Sequence, residues 1–105
     1  MNALRRYEIL LPSRFNDGRP IPETLLADTL LELRARFGAV SCETKAVQGE
    51  WESEGVMHRD ELAKVFVDVA DTVENRQFFI QFKERLKARF QQLEIWLTTF
   101  PIELI

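Results

Sequence analysis

"AKVFVDVADTVENRQFFIQF", residues Ala63 to Phe82, holds two hydrophobic periods back to back. In its first half Ala63, Val65, Val67 and Val69 alternate with Lys64, Phe66 and Asp68. A period of two sends alternate side chains to opposite faces, so this half reads as a strand. "DTVE" then breaks the alternation. Asp71 is suited to cap a helix, and Glu74, three residues on, completes a capping box. Phe79, Phe82, Leu86, Phe90 and Leu93 follow at helical spacing and predict a helix over about residues 72–91.

Working towards the N-terminus, "ESEG" reads as a turn, and "AVSCETKAVQGEW" before it as the hairpin partner of the Ala63–Val69 strand. Val40, Cys42 and Thr44 are in step, then Val47, Gly49 and Trp51; the slip at Ala46–Val47 predicts a bulge. Leu26, Leu30, Leu33 and Phe37 mark an earlier helix over about 22–37, with Pro22 at its first turn and Gly38 at its end. "YEILL", residues 7–11, is a strand, and the long loop "PSRFNDGRPIP" joins it to that helix. On the C-terminal side, "LEIWLTTFPIELI" alternates as a last strand, and Pro101 predicts that it lies at a sheet edge.

The order β-α-β-β-α-β predicts a single α+β domain over residues 1–105, a ferredoxin-like two-layer sandwich with an antiparallel sheet. Both helices would cover Tyr7, Ile9, Leu11, Ala63, Val65, Val67 and Val69. The other face would show Leu10, Leu62, Phe66, Trp96 and Phe100 among Arg6, Glu8, Lys64 and Asp68. So many large apolar groups on an uncovered face predict a partner, first of all a second copy in a homodimer.

Composition narrows the classes. The chain has 105 residues, 46% of them hydrophobic and 30% charged, with a net charge of −3. This is ordinary for a folded domain and argues against a nucleic-acid binder, which shows a basic excess. The basic residues of the second helix (Arg76, Lys83, Arg85, Lys87 and Arg89) flank its apolar stripe, and RNA binding through them is the weaker expectation. The only cysteine, Cys42, forms no internal disulfide and fits a reducing compartment. No signal peptide or membrane-length apolar run is present, so the sequence predicts a cytoplasmic protein without a membrane partner.

"QGEWESEGVMHRDE", Gln48 to Glu61, is the stretch richest in chemistry. One histidine without further His or Cys nearby is a poor metal set, and no metal or cofactor is predicted. The bland reading is a charged hairpin tip. The sharper one is a ligand cleft using Trp51, His58, Arg59 and Glu61, with Trp51 opposite Arg59 across the hairpin and His58 or Glu61 moving protons. Cys42 has no base signalled beside it, so no catalytic residue is assigned. Arg14, Gly18 and Arg19, just before a helix, are a possible place for an anion, though without a P-loop pattern.

A family resemblance rests on Arg36-Phe37-Gly38, Gly49-x-Trp51, Arg59-Asp60-Glu61, and Arg89-Phe90-x-Gln92. In order and spacing these resemble small uncharacterised bacterial domains of the ferredoxin-like type, over most of the chain from Leu4. The chain departs from that pattern at Gln91, where the family has glycine. The resemblance implies the fold, carries no activity, and draws attention to Trp51, Arg59 and Glu61.

Overall fold

The computed structural model describes residues 3–105, apart from the side chains of Lys45, Ala46, Val47, Trp51, Ser53 and His58. Its elements are β1 (Leu4–Pro12), α1 (Glu23–Phe37), β2 (Ser41–Ser53), β3 (Val56–Ala70), α2 (Val73–Arg89) and β4 (Trp96–Ile102). The four strands form one sheet in the order β2-β3-β1-β4, with every pairing antiparallel. β4 is thus an edge strand, where Pro101 is tolerated.

Register explains the two faces. Tyr7 lies opposite Val67, Ile9 opposite Val65, and Leu11 opposite Ala63. Tyr7, Ile9, Leu11, Val65, Val67 and Val69 are all buried, in one cluster with Leu33 of α1 and Phe79, Phe82 and Leu86 of α2. The Tyr7 ring stacks on Phe79 at 4.0 Å, and Phe79 meets Phe37 at 5.4 Å, so aromatic contacts join sheet, α2 and the end of α1.

Polar contacts lock the helices together. Thr29 is fully buried within the α1 stripe. Its hydroxyl donates to the Leu25 carbonyl and accepts from Arg89. Arg85 and Arg89 both reach Glu32, at 2.6 and 2.9 Å. The basic residues on this side of α2 therefore face α1 rather than forming a free stripe.

Three local expectations are corrected. The N-cap of α2 is Thr72, whose hydroxyl accepts from the Asn75 N–H; Asp71 instead pairs with Arg5 at 3.1 Å. Leu93, expected on the α2 stripe, is 90% exposed. Gln91 adopts φ 53° and swings the chain away from the helix axis, so Ile95 is buried instead of Leu93. The first strand also runs beyond "YEILL" at both ends, because β3 and β4 offer partners from Leu4 onward.

The hairpin is long. β1 stops at Pro12, opposite Leu62, while β2 and β3 continue together to the turn at Glu54-Gly55. Residues 56–60 of β3 therefore pair only with 49–53 of β2, a two-stranded ribbon beyond the sheet. The molecule measures 50 × 25 × 22 Å as a result. The expected irregularity in β2 is a register shift between Glu43 and Val47.

Candidate functional site

Two regions gather the candidate residues. The first is the sheet face opposite the helices. Leu10 lies beside Trp96 and Lys64, Glu8 beside Thr98 and Phe66, and Arg6 beside Phe100 and Asp68. Trp96 is 64% exposed and Phe100 39%; Leu10, Leu62 and Phe66 are half-buried. The charges are satisfied in place. Arg6 holds Asp68 through two hydrogen bonds, at 2.7 and 3.0 Å, and its guanidinium lies 4.4 Å from the Phe66 ring centre. Lys64 and Glu8 are 3.7 Å apart. The face is a lattice of ion pairs holding half-buried apolar groups, with its aromatic edge along β4.

The second region is on the helix side, where the ribbon leaves the sheet. An apolar cavity of about 340 Å³ is lined by Leu11, Ile21, Leu26, Ala63 and Phe90, with Glu23 and Glu61 at its margin. It meets a polar cleft lined by Arg14, Gln48, Arg59, Asp60 and Glu61. Ser13, Pro20 and Glu61 line both, so the two spaces adjoin. The loop after β1 builds the outer wall. Its ends are tied by hydrogen bonds from the Ile21 N–H to the Ser13 carbonyl and from the Ser13 N–H to the Glu61 carbonyl.

The four residues expected to share a ligand cleft are divided. Arg59 lies opposite Glu50, not Trp51, and pairs with its carboxylate at 3.2 Å. Trp51 and His58 are register partners. Strand alternation puts their positions on the opposite face of the ribbon from Arg59 and Glu61. The Trp51 and His58 side chains lie outside the described residues; of the four, Arg59 and Glu61 line the polar cleft among the described residues. Sequence reasoning missed Arg14, Leu26 and Phe90 as their neighbours. The unusual length of the loop from Pro12 was the signal, but only the register shows which residues it faces.

Arg19 is already engaged. It pairs with Asp17, whose carboxylate is held below the usual range by the Arg19 backbone N–H and guanidinium. Of the two arginines at the expected anion position before α1, Arg19 is thus neutralised from within the loop. Cys42 packs at the margin of the core, and burial pushes its thiol up, away from a reactive thiolate. Among the described residues no three His, Cys, Asp or Glu side chains are grouped to hold a metal. No helix among them is long and apolar enough to cross a membrane.

The motif residues fall largely on architecture. Arg36 lies 4.3 Å from the Phe78 ring centre, Phe37 packs on the core, and Gly38 ends α1 at φ 85°. Arg89 clasps α1, and Phe90 is buried. These positions serve helix ends and packing, Phe90 also lining the apolar cavity; among the described residues, Arg59-Asp60-Glu61 is the motif that lines the polar cleft.

No family model and no curated protein matches the chain. Solved structures do match in fold. A phage SAM lyase in complex with S-methyl-5'-thioadenosine superposes with a TM-score of 0.73 at 11% identity, covering 96% of this chain and 83% of that one. CutA from Synechococcus elongatus PCC7942 gives 0.65 at 12% identity, covering 97% and 79%. The divalent ion tolerance protein CutA1 from Ehrlichia chaffeensis gives 0.61 at 8% identity, covering 100% and 86%. At such identities the likeness shows a shared fold alone.

Proposed function

We propose that this protein is a small ferredoxin-like binding module that self-associates through its open sheet face, as a homodimer in a reducing, cytoplasmic compartment. The carrying observation is Trp96, 64% exposed beside Leu10 and sharing with Phe100 a face no helix covers. Tryptophan is costly to leave in water and is enriched at interface centres. Both charge signs alternate over the same face, in Arg6–Asp68 and Lys64–Glu8. Such a pattern complements a second copy, whereas an excess of one sign would favour an oppositely charged partner.

Trp96→Asp is the direct test, because an exposed side chain on an edge strand can be changed without opening the core. Light scattering coupled to size exclusion should show the wild type as a dimer and Trp96→Asp as a folded monomer. Phe66→Asp should act in the same direction. Wild type and both variants eluting with one mass would overturn the reading.

A second reading, a small-molecule binder, is favoured by the adjoining cavity and cleft on the helix side. Arg59 and Glu61 are its expected polar contacts. Arg59→Ala should then weaken binding while leaving the melting temperature nearly unchanged, since Arg59 and Glu50 are both largely exposed.

A further inference from the structure

We infer that the helix-side cavity is a site for a zwitterionic small molecule with an apolar body, the chemistry of a free aromatic or large aliphatic amino acid. The inference rests on the second reading, that the cleft holds a ligand at all, and names the class.

The apolar cavity and the polar cleft that adjoins it form an inner and an outer end of different chemistry. The inner end is built from Leu11, Ala63, Leu26 and Phe90. Its volume of about 340 Å³ is at the small end of the range for ligand pockets and suits one ring system. This end excludes a fully polar ligand, because each unpaired polar group buried there would lose its hydrogen bonds to water.

The outer end carries both signs of charge within one cleft. Arg14 and Arg59 are on its rim, and Glu61 stands where it joins the apolar part. Arg14 spends one donor on the Gly18 carbonyl, and Arg59 holds Glu50 through its Nε. A guanidinium has five N–H donors, so both retain capacity for a carboxylate. Glu61 lends its backbone carbonyl to Ser13, and no cation among the described residues pairs with its carboxylate. An ammonium group at the cavity mouth would meet that carboxylate while its carboxylate neighbour reaches the arginines. Glu23 and Asp60 stand with Glu61 on the acidic side of the same lining, so a simple anion is disfavoured, while a zwitterion offers its ammonium to the acids and its carboxylate to Arg14 and Arg59.

The region is separate from the open sheet face, so the two sites can be tested one at a time. Isothermal calorimetry with L-tryptophan, tryptamine and 3-indolepropionate isolates each group, since the second lacks the carboxylate and the third the ammonium. L-tryptophan should bind, and each truncated analogue should bind at least about tenfold more weakly. Glu61→Gln should weaken L-tryptophan and leave 3-indolepropionate unaffected or tighter. Arg14→Ala should weaken L-tryptophan and spare tryptamine. Ala63→Phe, which fills the apolar end, should abolish binding, with circular dichroism confirming a folded chain; Leu26→Trp fills it from the helix if Ala63→Phe does not fold.

No saturable heat from any of the three compounds would overturn both this inference and the ligand-binding reading. Tryptamine or 3-indolepropionate binding as tightly as L-tryptophan would overturn the zwitterion and leave the ligand site standing. Binding that survives filling of the cavity would overturn the location.

Discussion

Tyr7 is the residue at which packing and hydrogen bonding conflict. Its ring is 2% exposed and stacked on Phe79, yet its hydroxyl has no hydrogen-bond partner among the described residues. An unpaired buried hydroxyl costs about 1–3 kcal/mol, whereas the ring contributes packing that phenylalanine would keep. Tyr7→Phe is therefore expected to leave stability unchanged or raise it by about 1 kcal/mol, measured by urea unfolding. A loss of more than about 1 kcal/mol would show that the hydroxyl is in fact bonded. The alternation in "YEILL" made the burial of Tyr7 legible, because it depends only on which residues share a face. The isolation of its hydroxyl was not, because that depends on what α2 places above it. The same holds for Thr29: its place in the α1 stripe is visible in sequence, while its bond to Arg89, sixty residues away, is not.

At the scale of elements, the strand and helix periods in residues 63–90 were sound guides, and errors gathered where helices begin and end. Asp71 and Thr72 are both good caps, and sequence cannot decide between neighbours when one of them is taken by a distant Arg5. At the other end of α2, Gln92 donates to the Lys87 carbonyl and Gln91 to Ala88, closing the helix as a Schellman motif. Gln91 occupies its left-handed position at φ 53°, where a side chain is strained and glycine is not. Gln91→Gly should stabilise the protein by about 0.5–1 kcal/mol, read as a shift in the urea midpoint at constant slope. A loss of stability would mean that the Gln91 side chain makes a contact outweighing the strain. Leu93 was misplaced for the same reason: a helical stripe extended past Phe90 assumes that the helix goes on, and Gln91 stops it.

The whole molecule divides into a sandwich with a core and a ribbon without one. In the sandwich every strand of the central pair has two neighbours and a helix layer above. In the ribbon, Gln48, Glu50 and Arg59 are paired only across the hairpin, and Val56 and Met57 are more than half exposed. A two-stranded ribbon in water is marginal on its own. Its backbone hydrogen bonds should thus open locally, while those of β1 open only with global unfolding. Amide exchange on monomeric Trp96→Asp, which removes protection by a second copy, should separate the two. Amides of Glu50, Glu52 and Met57 should exchange at least about a hundredfold faster than those of Tyr7, Ile9 and Val65, since a few kcal/mol separates local from global opening. Equal protection would show the ribbon to be part of the cooperative core. The difference bears on function, because Arg59 and Glu61 stand at the base of the ribbon and belong to both regimes. If L-tryptophan occupies the cleft, it bridges the loop after β1 to the ribbon's base, and exchange at Asp60 and Glu61 should slow in its presence while exchange near Glu54 should not. Slowing that extends to the turn would instead indicate that the ligand orders the whole arm.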